Sequence, residues 1–200
     1  MRKIVVLMML SLDGVMQAPG GPEEDPSENF KYGGWTVPYA DESFAPILKK
    51  ELSVPFDLLL GRKTYDIWRT YWPRQTGMVG DPFNKAKKYV VSSGKPELTW
   101  KESVLVDGDV AAKLKALKKE DGPVFHVWGS SVLIQTLLKN DLIDELRLRI
   151  YPVIIGSGKR LFAEGTIPAA FKLIDSQALA SGIILANYQR AGELKTGKVA

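Results

Sequence analysis

Apolar residues fall in short blocks along this chain, and the spacing inside each block names an element. Ile4–Leu10 is continuously apolar, the pattern of a central strand buried on both faces. Ser11-Leu12-Asp13-Gly14 breaks it. Asp41–Ser53 carries Phe44, Ile47, Leu48 and Leu52 on one helical stripe, with Asp41 as its cap and Pro46 near the first turn. Phe56–Leu60 reads as a buried strand, Tyr65–Tyr71 as a short helix ended by Pro73, and Arg74–Pro82 as loop. Lys87–Val91 and Val104–Val106 are short strands, followed by a helix over Val110–Lys119. Phe171–Leu179 and Gly182–Gln189 read as a hairpin.

The stretch Gly122–Gly158 organises the rest. A strand, Val124–Trp128, runs into Gly129-Ser130-Ser131 and then an apolar helix. A second strand, Glu145–Ile155, ends in Gly156-Ser157-Gly158. Strand, glycine with small hydroxyls, then helix is a geometry that presents free backbone N–H groups to an anion. Strands alternating with helices, closed by a hairpin, predict an α/β domain with a mostly parallel sheet over residues 1–190 and a tail over 191–200.

Between Gly14 and Ala40 the chain is rich in Gly, Pro and acid, with Phe30, Tyr32, Trp35 and Tyr39 interspersed. A segment this long without periodicity predicts a functional loop over a cleft. Trp35 is then placed to stack on a planar heterocycle, with packing at the rim as its plainer role.

Composition narrows the chemistry. The chain has 200 residues, a net charge of +4, no cysteine and one histidine, His126, which lies mid-strand. That excludes disulfides and Cys-ligated metal, and fits neither a Ser-His-Asp centre nor a common zinc site. The charge suits an anionic ligand without arguing for nucleic acid; the Lys113–Lys119 run reads as a solvated helix face. The apolar N-terminal run is too short to span a membrane, so a cytoplasmic protein is expected.

Gly61-Arg62-Lys63-Thr64 puts cations and a hydroxyl at a helix start, and Ser92-Ser93-Gly94-Lys95 ends the next strand. Together they suit a ribose 2′-phosphate and favour NADPH over NADH. Gly129-Ser130-Ser131 is read either as a pyrophosphate turn or as a tightly packed corner. Gly156-Ser157-Gly158-Lys159 fails as a P-loop, because Val153 stands at the first glycine position and Arg160 replaces the Ser/Thr; no Rossmann glycine pattern follows any strand. Asp13 is either a proton donor at the sheet edge or the acid of an Asp-Gly turn. Arg147 and Arg149 alternate with Leu146, Leu148 and Ile150 as one polar strand face.

Taken in order, VLMMLSLDG (Val6–Gly14), LGRKTYDIW (Leu60–Trp68), VVSS (Val90–Ser93), VWGSSVLIQTLL (Val127–Leu138) and DELRLRIYPVIIGSGKRLF (Asp144–Phe162) resemble the dihydrofolate reductase-like superfamily. The branch most resembled holds the C-terminal reductase domain of the bacterial riboflavin-biosynthesis deaminase–reductase. The resemblance implies a three-layer fold and an NADPH-dependent reductase of the 5-amino-6-(5-phosphoribosylamino)uracil reductase or dihydrofolate reductase type. It implies phosphate contacts from Gly61, Arg62, Lys63 and Thr64, the 2′-phosphate near Ser92 and Ser93, and the pyrophosphate at Gly129, Ser130 and Ser131. Asp13 matches the family's S-x-D-G acid on the substrate side. Beside the resemblance, our reading of the Gly14–Ala40 loop sets Trp35 or Tyr39 against the ring of a small heterocyclic substrate. The resemblance also implies a homodimer, with Glu145–Ile155 pairing or packing across it. A non-catalytic nucleotide-binding protein on the same fold is the other reading.

Overall fold

The computed structural model describes residues 1–40, 42–162 and 164–199. In chain order the elements are β1 (Ile4–Ser11), α1 (Phe44–Ser53), β2 (Phe56–Gly61), α2 (Arg62–Tyr71), α3 (Gly77–Lys85), β3 (Lys88–Val91) and β4 (Ser103–Val106). They continue with α4 (Val110–Lys119), β5 (Val124–Trp128), α5 (Ser131–Lys139), β6 (Glu145–Tyr151), β7 (Phe171–Ala178) and β8 (Ile184–Arg190). The strands form one sheet in the order β4-β3-β2-β5-β1-β6-β8-β7. The first six in that order run parallel, and β8 is antiparallel to both β6 and β7.

Helices cover both faces because the central strands are apolar on both. Ile4, Val6 and Met8 pack with Phe125 and Val127 against Leu114 of α4 and Leu133, Ile134 and Leu137 of α5. Leu58, Leu60 and Val90 face the other way, against Leu52 of α1, Tyr65 of α2 and Phe83 of α3. Truncating one such fully buried leucine to alanine typically costs about 2–5 kcal/mol.

Several sequence expectations shift here. Asp41, read as a helix cap, lies outside the described residues. The second helix starts at Arg62 rather than Tyr65, directly off the strand. Arg74–Pro82 was expected to be loop, but Gly77–Lys85 is helical. Two glycines and Pro82 hide α3 from propensity, and tertiary contacts supply what propensity does not. Phe83 plugs a ring cluster, and Asn84 Nδ2 donates to the carbonyls of Trp72 and Gln75. A Cβ on Gly80 would lie 2.6 Å from the Gln75 backbone, so the approach needs glycine.

Glu145–Ile155 was expected as one strand. It stops at Tyr151, and Pro152 follows, which cannot donate to a ladder. This strand is hydrogen-bonded to β1 on one side and β8 on the other, so it has no free edge with which to pair across a dimer. Its arginines do more than face solvent: Arg149 Nη2 donates to both Glu51 oxygens at 3.0 and 2.8 Å, and Arg147 Nη1 donates to one at 3.1 Å. The buried Glu51 side chain thereby clamps α1 onto the sheet, and removing it would leave the buried Arg149 without its carboxylate, while Arg147 keeps Glu145 at 2.9 Å. No helix among the described residues is long and apolar enough to cross a membrane.

Candidate functional site

Parallel pairing brings the carboxyl ends of β2 and β3 together, with Gly61 in register with Val91. β5 flanks β2 on the other side and delivers Trp128 and Gly129 to the same edge. A cavity of about 980 Å³ opens there. Gly61, Arg62, Lys63 and Thr64 line it, as do Ser92 and Ser93, and so do Gly129, Ser130 and Ser131. The structure thus brings together residues drawn from three separate strand ends.

Local chemistry at this edge suits an anion. Helices α2 and α5 both begin at it, and neither N-cap, Gly61 or Ser130, makes a side-chain capping bond. First-turn amides and the positive ends of two helix dipoles therefore face one space. Helix α4 differs: the Asp109 side chain caps it by accepting from Ala112 N at 3.0 Å. The corner itself is left-handed at two successive residues, Gly129 at φ 66° and Ser130 at φ 69°, ψ 54°. A serine held there costs roughly 1–2 kcal/mol relative to a helical conformation. Its hydroxyl gives a reason, accepting from Gly61 N at 2.8 Å and donating to Thr64 Oγ1 at 2.9 Å.

The Gly14–Ala40 segment is irregular apart from short 3-10 turns at Ser27–Asn29 and Val37–Tyr39. Its first half walls the cavity through Gln17, Ala18, Pro19 and Glu24. Buried Gln17 pins it: Nε2 donates to the carbonyls of Asp25 and Ser27, and Oε1 accepts from Lys159 N at 3.0 Å. Lys159 pairs with Asp25, and its Nζ donates to Ser27 Oγ at 2.7 Å; Lys63 Nζ reaches the same hydroxyl at 3.0 Å. Two ammonium groups from the cavity lining thus share the Ser27 hydroxyl oxygen. The neighbouring Lys159 ammonium, with partial burial, holds the Lys63 amine below its ordinary value.

The substrate-side expectations land elsewhere. Trp35 is buried, donates from Nε1 to Gln17 O at 2.8 Å and meets Tyr151 edge to face at 5.3 Å. Tyr39 packs on the same Tyr151 ring. Neither lines the cavity. The aromatic second half of the loop anchors the first half. Asp13 is also outside the cavity lining. Its carboxylate accepts from Ser11 Oγ at 2.6 Å, Ile155 N at 3.1 Å and Gly156 N at 2.8 Å, and pairs with Arg160 at 3.2 Å. Burial alone would raise its pKa, but these hydrogen bonds hold it far below the ordinary carboxylate range. It clamps the β1 turn to the turn after β6. Lys95 of the expected phosphate cluster likewise falls outside the lining.

Sequence reading missed part of the wall. Trp68, Trp72 and Trp128 line the cavity beside Phe83 and Val79 of α3, the helix that propensity concealed. Glu24 is a lining carboxyl whose pKa burial pushes up, against the lowering effect of its bond from Gly20 N. Lys159 was visible only as a failed P-loop lysine; the pairing of residues 14–16 with 159–161 brings it in.

Comparison with known proteins agrees with this architecture. YyaP, an uncharacterised protein of Bacillus subtilis strain 168, is 26% identical over 200 residues, spanning 96% of each chain. A pyrimidine reductase-like protein from Corynebacterium diphtheriae superposes with a TM-score of 0.61 at 13% identity, covering 96% of this chain and 93% of that one. Dihydrofolate reductase from Enterococcus faecalis, complexed with NADP(H) and RAB-propyl, superposes with a TM-score of 0.58 at 15% identity, covering 94% and 96%. The three-layer dihydrofolate reductase-like fold, a mostly parallel sheet closed by a C-terminal antiparallel hairpin, is therefore shared with these structures. Residues 2–185 match the model of the RibD C-terminal domain, and the chain belongs to that family.

Proposed function

We propose that this protein is an NADPH-dependent reductase that passes hydride to a small heterocyclic substrate. The observation that carries the reading is the meeting of three strand ends, two uncapped helix N-termini and the Lys63–Lys159 pair in one cavity. That donor set suits a dinucleotide: amides and dipoles for a pyrophosphate, cations and hydroxyls for a 2′-phosphate. The NADP(H) bound by the Enterococcus dihydrofolate reductase on the same fold supports it.

In this reading the first turns of α2 and α5 hold the pyrophosphate, with Ser130 fixing the spacing between them. Arg62, Lys63, Ser92 and Ser93 take the remaining phosphate. NADPH supplies the hydride; the protein supplies orientation and exclusion of water. The Gln17–Glu24 wall closes one side. Glu24 is the protonatable carboxyl on that wall, in place of Asp13. The ring of the substrate lies on the side of Trp68, Trp72 and Trp128 rather than of Trp35 and Tyr39.

Titration with reduced cofactors tests this directly. NADPH should bind more tightly than NADH, and Arg62→Ala should weaken NADPH more than NADH, because a charge-assisted phosphate contact is lost. Equal weakening of both would count against the 2′-phosphate assignment. Binding of NADPH with no oxidation across a broad panel of pterins and pyrimidines would favour a non-catalytic nucleotide-binding protein.

A further inference from the structure

We infer that the turn at residues 25–27 stands in for a ligand: its carboxylate and hydroxyl oxygens occupy Lys159 and Lys63, and an incoming phosphate displaces them. The turn is an internal competitor for the anion that the cavity takes. The identity of that anion, a cofactor phosphate, rests on the reductase reading. Asp25, Lys63 and Lys159 all line the cavity.

Ser27 Oγ is fully engaged in this contact. It donates to Asp25 Oδ1 at 2.5 Å and accepts from Lys159 Nζ at 2.7 Å and Lys63 Nζ at 3.0 Å. Asp25 Oδ2 pairs with Lys159. A carboxylate oxygen and a hydroxyl oxygen thus sit on two neighbouring ammonium groups, as two oxygens of one phosphate would. Burial alone would raise the Asp25 pKa, but the bonds from Lys159 and Ser27 hold it below the ordinary value, so the carboxyl is ionised at neutral pH. The charges of Asp25 and Glu28 act on Lys63 as well. An anion that reaches these lysines therefore meets a carboxylate already in place.

What holds the turn is polar and exchangeable. Every residue from 19 to 29 is at least partly exposed, while Ala18 and Phe30 at the two ends are buried. Those ends are fixed without the lysines. Gly34 N donates to Ala18 O at 2.8 Å, and Thr36 Oγ1 donates to Pro19 O at 2.6 Å. Phe30 packs on Gly158 so closely that a Cβ there would lie 2.8 Å from its ring. Between the anchors the turn exposes little apolar area when it lifts, and segments of that kind open most readily in a fold. Gln17 Nε2 also holds it, through the Asp25 and Ser27 carbonyls at 3.0 and 2.9 Å, bonds that water replaces once the turn lifts. Glu28, left-handed at φ 61° without being glycine, adds backbone strain that lifting relieves.

The test is calorimetric titration of the full chain with NADP+ and, in parallel, with inorganic pyrophosphate at fixed ionic strength. Asp25→Asn keeps the shape of the side chain and removes its charge, so it should lower the Kd for both anions by about five-fold. A merely structural Asp25 predicts the opposite sign. The chain has no cysteine, so a fluorophore on Pro26→Cys, at an exposed position, reports on the turn alone. Its anisotropy should fall as either anion saturates the protein. Equal or weaker binding by folded Asp25→Asn, or unchanged anisotropy, would overturn the inference; if Asp25→Asn does not fold, the anisotropy decides by itself. Pyrophosphate that binds and releases the turn while NADP+ fails to bind would strike the reductase reading and leave the internal competitor standing. Failure of both anions to bind would overturn both.

Discussion

The Gly61 amide donates to Ser130 Oγ across 2.8 Å, tying the end of β2 to the corner that opens α5. These residues are 69 positions apart, yet their contact sets the spacing of the two helix N-termini at the cavity. Ser130→Ala keeps the left-handed strain and loses both hydroxyl contacts. Ser130→Gly loses the contacts but relieves the strain. Both should raise the NADPH Kd by roughly ten-fold, the order expected when a buried amide loses its acceptor. The glycine variant should melt at the higher temperature of the two. Fluorescence titration and thermal melts check this, and an unchanged Kd in both variants would remove Ser130 from the site.

Asp13 and Glu24 should separate cleanly. Asp13 has a depressed folded pKa, so its stabilisation is present above the ordinary carboxylate value and is lost as pH falls below it. Asp13→Asn should lower stability at neutral pH and flatten the acid limb of the stability curve. The pH profile of NADPH oxidation should keep its shape. Glu24→Gln should do the reverse, removing the fall in rate as pH rises through the Glu24 titration, with little change in melting temperature. Rate profiles measured with any accepted substrate, alongside urea unfolding, decide the matter; a profile altered by Asp13→Asn alone would restore Asp13 to the chemistry.

His126 supplies a second pH dependence. It is 3% exposed, stacks on Phe56 at 4.5 Å, and its Nδ1 has no partner among the described residues. Burial, reinforced by the Arg147 charge, pushes its pKa down to about 3. The unfolded chain binds a proton near pH 6.5 that the folded chain refuses, so stability falls as pH drops from about 6.5 toward 3. In that window His126→Phe should reduce the slope of stability against pH by up to about 1.4 kcal/mol per pH unit. Urea unfolding across the range measures it, and identical slopes would show that His126 does not contribute.

The order of elements was legible in the chain because local forces write it. Val110–Lys119 and Val124–Trp128 are read to the residue, since amphipathic and β-branched runs need no distant partner to be recognised. Strand ends with glycine and hydroxyl turns likewise pointed to the edge where the cavity opens. Helix α3 was not legible, because its glycines and Pro82 oppose helix formation and residues reaching other elements, Phe83 and Asn84 among them, hold it. Nor were the places of Asp13, Trp35 and Lys159. Each is decided by pairing across more than a hundred residues or by the packing of one ring on Tyr151. Sequence alone determined the order of most strands and helices and which of their ends carry glycine and hydroxyl turns. Tertiary structure decided which side chains face the cavity, because facing depends on register and packing between distant segments, and no local pattern encodes that.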